Sequence, residues 1–373
     1  MTGFRFCINW AQWGRANRAF LWLLRRMTLG LMLLSVAGCA ELGYYAQSVE
    51  GHLGLMARRV PVERLLGADE TPEQLRDRLA LAQRIRRFAS KHLSLPDNRS
   101  YRDYVDVERP YVVWNVVVAP ELSLDPKRWC FPVVGCVSYR GYYDEVEARA
   151  FAAGWRAAGY DVSVGGVRAY STLGWFADPL LSTMLRGSDT YLAGVIFHEL
   201  AHQVVYIDDD TAFNEAFAVS VEREGLRRWL AERERLHGLT GAVAHYNTQN
   251  ARHQKFLDLI RRARSDLAKL YESGLSAREK RAEKQTRFDR LAREYAIVRA
   301  SWGGYAGYDA WFSSGPNNAK LALLATYWQK VPAFERLLAN KGYDLPRFYA
   351  AVAAIGVLPR AEREARLTEL ANE

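Results

Sequence analysis

The chain has 373 residues, 49% of them hydrophobic and 25% charged; this is enough apolar material for one large domain and too little bias for a disordered or fibrous chain. The formal net charge of +9 points to nucleic acid only until the charges are placed, because residues 1–38 hold five arginines and no acid, and the remainder carries 46 basic and 42 acidic residues. The basic run 278–293 (REKRAEKQTRFDRLAR) is interleaved with acids, the pattern of a solvated helix face, so no nucleic-acid partner is expected.

The arginines lead into an apolar run, Met27–Ala37 (MTLGLMLLSVA), too short to cross a bilayer, which takes about 20 residues. A basic start, a short apolar stretch and small residues at its end predict a secretory signal peptide over 1–38. The junction Val36-Ala37-Gly38-Cys39 resembles the bacterial lipobox, which implies cleavage before Cys39 and lipidation of that cysteine. Ala40 in place of aspartate implies sorting to the outer membrane, with the protein facing the periplasm. Export also decides how Cys130 and Cys136 read: an even pair around a turn in an oxidising compartment predicts a disulfide, with two free buried thiols as the alternative.

Residues 39–60 read as a tether, followed by a single domain over 61–373. A helix is expected from Pro72 to His92, with Thr71 and Gln74 as its capping box. Tyr111–Pro120 (YVVWNVVVAP) is a β-branched strand stopped by proline, and a second strand is expected through Val137–Tyr143. A helix ending near Gly159 precedes another strand, Asp161–Thr172, interrupted by Gly165-Gly166. Residues 245–300 predict two long helices, broken from a helical C-terminus by a glycine-rich loop. The fold class is α+β, a small early β-sheet in 61–188 and a mostly helical half in 189–373.

The chemistry sits at Gly194–Gly225, GVIFHELAHQVVYIDDDTAFNEAFAVSVEREG. On a helix His198 and His202, four residues apart, point the same way and can share one zinc ion. Glu199 faces a different direction, free to act as a general base; this is the HExxH arrangement of zinc peptidases. The apolar flanks Val195, Ile196, Leu200, Ala201 and Val204 favour a buried active-site helix over a surface one. A third ligand is expected from Glu215 on the next helix. Glu222, on the same face, and Asp209 or Asp210 in the loop are the alternatives, and Asp210 or Glu222 could instead orient a ligand histidine.

Taken with WCFPVVGCVSYRGYY (129–143), GGVRAYSTLGWFADPLLSTML (165–185) and NNAKLALLATYWQKVPAFERLL (317–338), this segment resembles a family of bacterial lipoproteins described as predicted aminopeptidases and similar to gluzincins. The resemblance implies a zincin-type active-site helix, one zinc on His198, His202 and Glu215, Glu199 as base, and a peptide substrate. Candidate donors to the transition state are Tyr305, Tyr308 and Tyr327. The edge of strand Asp161–Thr172 is a candidate substrate rail, and Asn317 and Asn318 are helix caps or substrate contacts. A zinc endopeptidase and a non-catalytic zinc-containing envelope lipoprotein are the alternative functions.

Overall fold

The computed structural model describes residues 42–131, 135–238 and 240–373; the signal-peptide expectation for 1–38 and Cys39 lie outside the described residues. A helix, α1, occupies residues 42–57, so the described part of the expected tether is helical. No helix among the described residues is long and apolar enough to cross a membrane. The compact unit that carries the site is Leu55–Glu373.

All described strands lie in the first half of that unit, and they form three small sheets where one was expected. In the first, β1 (Val60–Pro61) pairs antiparallel with β2 (Asp103–Val105), which runs parallel to β8 (Leu180–Leu181). The second is β6 (Arg140–Tyr142), β3 (Val113–Ala119) and β7 (Asp161–Val167), with β3 central and antiparallel to both neighbours. The third is a hairpin, β4 (Trp129–Phe131) and β5 (Gly135–Val137), in which Cys130 faces Cys136 and the two are joined as a disulfide. The expected strand Val137–Tyr143 is thus split between β5 and β6. Prolines at 61, 110 and 120 cut the ladders short, because proline cannot donate to them.

The helices are α2 (Val62–Gly67), α3 (Glu73–Leu93), α4 (Glu145–Ala157), α5 (Ser182–Leu185), α6 (Asp189–Ala201), α7 (Thr211–His237), α8 (Ala242–Glu272), α9 (Ala277–Ser301), α10 (Asp309–Ser313), α11 (Asn318–Trp328), α12 (Val331–Asn340), α13 (Leu345–Gly356) and α14 (Arg360–Asn372). The Thr71–Gln74 capping box does not form: Pro72 is the N-cap of α3 and no side chain caps that end. Thr71 is instead buried, and its backbone N–H turns back to Ala68.

The main core holds α6 between α3 and α7. Seven residues of α6, from Leu192 to Ala201, are buried, which places its His198–His202 end inside the protein. Gly225 permits this closeness, since a Cβ there would lie 2.7 Å from the Phe197 ring and 2.8 Å from Leu93. A second core fills the antiparallel α8–α9 hairpin, with Phe256, Ile260, Phe288 and Leu291 buried and Tyr308, Trp311 and Phe312 packed against them.

Candidate metal centre

Ser188 starts α6 by accepting from the Tyr191 N–H, and the helix runs to its C-cap, His202. The chain then turns through Asp208–Asp210 and restarts as α7. Asp209 has φ +63°, a left-handed conformation that Asp tolerates better than most residues. Asn214 pins this loop, donating to the Ile207 carbonyl and accepting from the Ile207 N–H, each at 2.8 Å. That clamp sits next to Glu215 and sets where its carboxylate arrives. Its only trace in the sequence is an asparagine inside a helix, where it disfavours helix unless given such a partner.

The disulfide hairpin supports the same loop. Asp209 Oδ1 accepts from the Cys136 N–H at 2.5 Å. Arg128 donates to both the Cys136 and Asp209 carbonyls. Gly135 leaves the room for this seat, as a Cβ would stand 2.5 Å from Asp209 Oδ1.

His198, His202 and Glu215 converge. His198 Nε2 lies 3.2 Å from both Glu215 Oε2 and His202 Nε2, and His202 Nε2 lies 3.8 Å from Glu215 Oε2. Tetrahedral ligands at zinc bond lengths of about 2.1 Å stand about 3.4 Å apart, so the triangle matches three corners of such a shell. These three residues form the metal-competent cluster found among the described residues. Glu222 Oε2 meets His198 Nδ1 at 3.1 Å, the outer carboxylate–histidine contact that fixes the tautomer and orientation of a ligand imidazole. His202 Nδ1 is buried without a partner among the described residues.

The electrostatics of the protein atoms alone place a positive charge on His198, beside the Glu215 and Glu222 carboxylates. Burial disfavours a charged His198, yet the Glu215 and Glu222 carboxylates outweigh it and hold its pKa well above the imidazole norm. Burial pushes His202 down to about 4, so it is neutral and able to ligate. Burial also opposes charge on Glu215, but the His198 hydrogen bond and the two imidazoles keep it below the usual carboxylate range. The cluster therefore favours one positive charge next to Glu215, carried by the His198 proton when no ion is bound; a metal ion held there would take that proton's place.

Glu199 points elsewhere, as its position on the helix requires. Burial raises its pKa to about 7, with Glu215, Asp178 and Glu222 adding to the rise and His198 opposing it. Asp178 is fully buried and is held by the Thr172 N–H and the Thr172 and Ser171 hydroxyls. Sequence reasoning missed it, because nothing in its local sequence marks this acid as buried.

The remaining candidates separate. Tyr327, on α11, lines a cavity of about 640 Å³ together with His198, Glu199 and Glu222. The nearby Glu215 carboxylate and then burial push its phenol well above the usual value, so it stays a donor. Tyr308 instead stacks on Phe256 with ring centroids 4.2 Å apart, and its hydroxyl meets His253 Nδ1 at 3.1 Å. Tyr305 packs against Trp302 and Tyr308 beneath Arg252. Tyr308 belongs to the side core of the α8–α9 hairpin, and aromatic packing claims both tyrosines. Among the alternative ligands, Asp210 caps α7 through the Phe213 N–H and is bound by Arg363, and Asp209 is spent on Cys136.

Asn317 is the N-cap of α11. Asn318 is fully buried; it donates to the Pro120 and Glu121 carbonyls and accepts from Tyr271. Neither is left for substrate. Strand β7 is an edge strand but ends at Val167, and Gly166 is needed there because a Cβ would fall 2.2 Å from the Tyr111 ring.

The profile of a family described as "Putative aminopeptidase" matches residues 43–367. The chain belongs to this family. Comparison with curated proteins and with solved structures returned no match. Membership supports a peptidase-like hydrolase, and the family's matched span contains the whole of the triangle, Glu199 and the cavity.

Proposed function

We propose that the protein is a zinc metallopeptidase that removes N-terminal residues from peptides in the bacterial envelope, tethered to the outer membrane by lipid on Cys39. The observation that carries this reading is the convergence of His198, His202 and Glu215 beside a carboxylate, Glu199, that is not one of them. A purely structural zinc site has no use for such a base. Zinc held there would supply Lewis acidity and bring a water's pKa down to about 7.

The chain's own groups do the rest. Glu199, tuned by burial to about 7, takes a proton from the attacking water and delivers it to the leaving amine. Tyr327 offers its hydroxyl hydrogen to the carbonyl oxygen as negative charge grows there. Glu222 keeps the His198 ring in register. An aminopeptidase also needs a carboxylate for the substrate's α-ammonium. Of the acids that follow the motif, Asp209 and Asp210 are committed and Asp208 is exposed, while Glu222 lines the cavity and has its Oε1 unused by His198.

The test is Glu199→Gln. It should keep about one zinc per chain, measured by elemental analysis, and lose about 10²–10⁴-fold in peptide hydrolysis. Undiminished hydrolysis would remove the assignment. N-acetylated peptides should resist cleavage, and internal cuts in them at the rate of free peptides would make the enzyme an endopeptidase. Palmitate labelling that survives Cys39→Ser would remove the anchor.

A further inference from the structure

The cavity beside Glu199 is walled by four helices. Tyr191 and Val195 come from α6, Val219 and Leu226 from α7, Tyr246 from α8, and Trp328 joins Tyr327 from α11. Its volume of about 640 Å³ falls within the range of about 300–1,000 Å³ typical of ligand cavities. Val219 and Leu226 are buried parts of the core, so the back wall is rigid. Among the described lining residues the carboxylates are Glu199 and Glu222, and no lysine or arginine lines the cavity.

We propose that this cavity receives the side chain of the substrate's N-terminal residue and selects large apolar, above all aromatic, side chains. The inference rests on the peptidase reading and names its substrate class. Aromatic rings offer edges and faces to a guest ring, and they bury it at little entropic cost. An acidic side chain would meet the Glu199 and Glu222 carboxylates with no lysine or arginine in the lining to offset them, a repulsion that disfavours the wrong substrate. A basic side chain would have to compete for Glu222, whose Oε2 holds His198 and whose Oε1 is the seat left for the substrate's own α-ammonium, while Glu199 is committed to proton transfer, so a second ammonium would lose water without a carboxylate of its own. A small side chain leaves the space unfilled.

The experiment has two readouts. Hydrolysis of aminoacyl-coumarin amides by the zinc-loaded protein should favour phenylalanine over alanine by about 10–200-fold in kcat/KM, with the aspartyl compound slowest and the lysyl compound below phenylalanine. Binding of L-phenylalaninamide and L-alaninamide to zinc-loaded Glu199→Gln, by isothermal titration, should show the same order without turnover. Tyr246→Ala removes a wall and Thr190→Trp fills the mouth. Both positions are partly exposed, so folding should survive, and both should lower the phenylalanine-to-alanine ratio about tenfold or more.

Hydrolysis that prefers alanine, aspartate or lysine, or a ratio untouched by both substitutions, overturns the pocket while leaving the peptidase reading intact. Selective phenylalaninamide binding that the two substitutions abolish, with no hydrolysis of any compound, supports the pocket and sinks the peptidase reading. Equal binding of both amides with no hydrolysis removes both.

Discussion

Two buried polar clusters sit within six residues of each other at the start of α7, and they differ in one respect. Around Asp210 every charge is answered. Its carboxylate accepts from Arg363 Nε at 2.9 Å and from the Phe213 N–H at 3.1 Å, with Lys330 Nζ at 3.6 Å. Arg363 in turn donates to the Gly356 and Leu358 carbonyls. Around Glu215 the acceptors outnumber the donors: two imidazole Nε2 atoms and a carboxylate oxygen face one another at 3.2–3.8 Å. A finished network locks α14 onto the loop, whereas the Glu215 cluster leaves a set of ligand atoms that could hold a metal ion. Buried polar groups are nearly always satisfied, so incompleteness, more than burial or charge, is what singles out the second cluster as a candidate metal site.

The comparison breaks most completely at Glu215. Glu215→Ala should bring bound zinc from about one per chain to near none after dialysis, with helical content by circular dichroism unchanged. Retention of a full zinc complement would show that Glu215 is not a ligand. Asp210→Ala tests the other side. Stranding Arg363, which is itself buried, should cost about 3–5 kcal/mol of unfolding free energy in denaturant titrations, yet the folded protein should still bind zinc. A stability loss below 1 kcal/mol, on the order of an exposed pair, would mean the network is not what holds α14 in place.

Glu222→Ala sharpens the boundary between the two kinds of cluster. The residue touches the triangle only through His198 Nδ1, so zinc affinity measured by chelator competition should fall by about 10–100-fold and not vanish. Unchanged affinity would reduce Glu222 to a wall of the cavity; complete loss would make it a ligand.

The sequence by itself determined the parts of this protein that depend on local spacing. Two histidines four apart share a helix face, the α8–α9 hairpin follows from long charged segments without proline, and the segment 111–120 is a strand because its β-branched residues meet a proline. Glu215 was legible as the preferred third member because its separation from His202 allows one turn between two helices, with Glu222 and the loop acids as lesser alternatives.

Tertiary structure alone brings Glu215, and not the loop acids, within reach of both histidines. Asp210 is structural because Arg363, 153 residues away, binds it. Tyr327 reaches the cavity and Tyr308 does not, because α11 packs against α7 while Tyr308 is drawn onto Phe256. The disulfide hairpin acts at a distance of 73 residues, through Cys136 and Asp209. Glu199 owes its raised pKa to burial contributed by several elements. Helical periodicity records only which residues lie on one face; which partner that face meets, and whether a buried charge finds its answer there, is settled by packing between distant stretches of chain that leaves no period in the sequence.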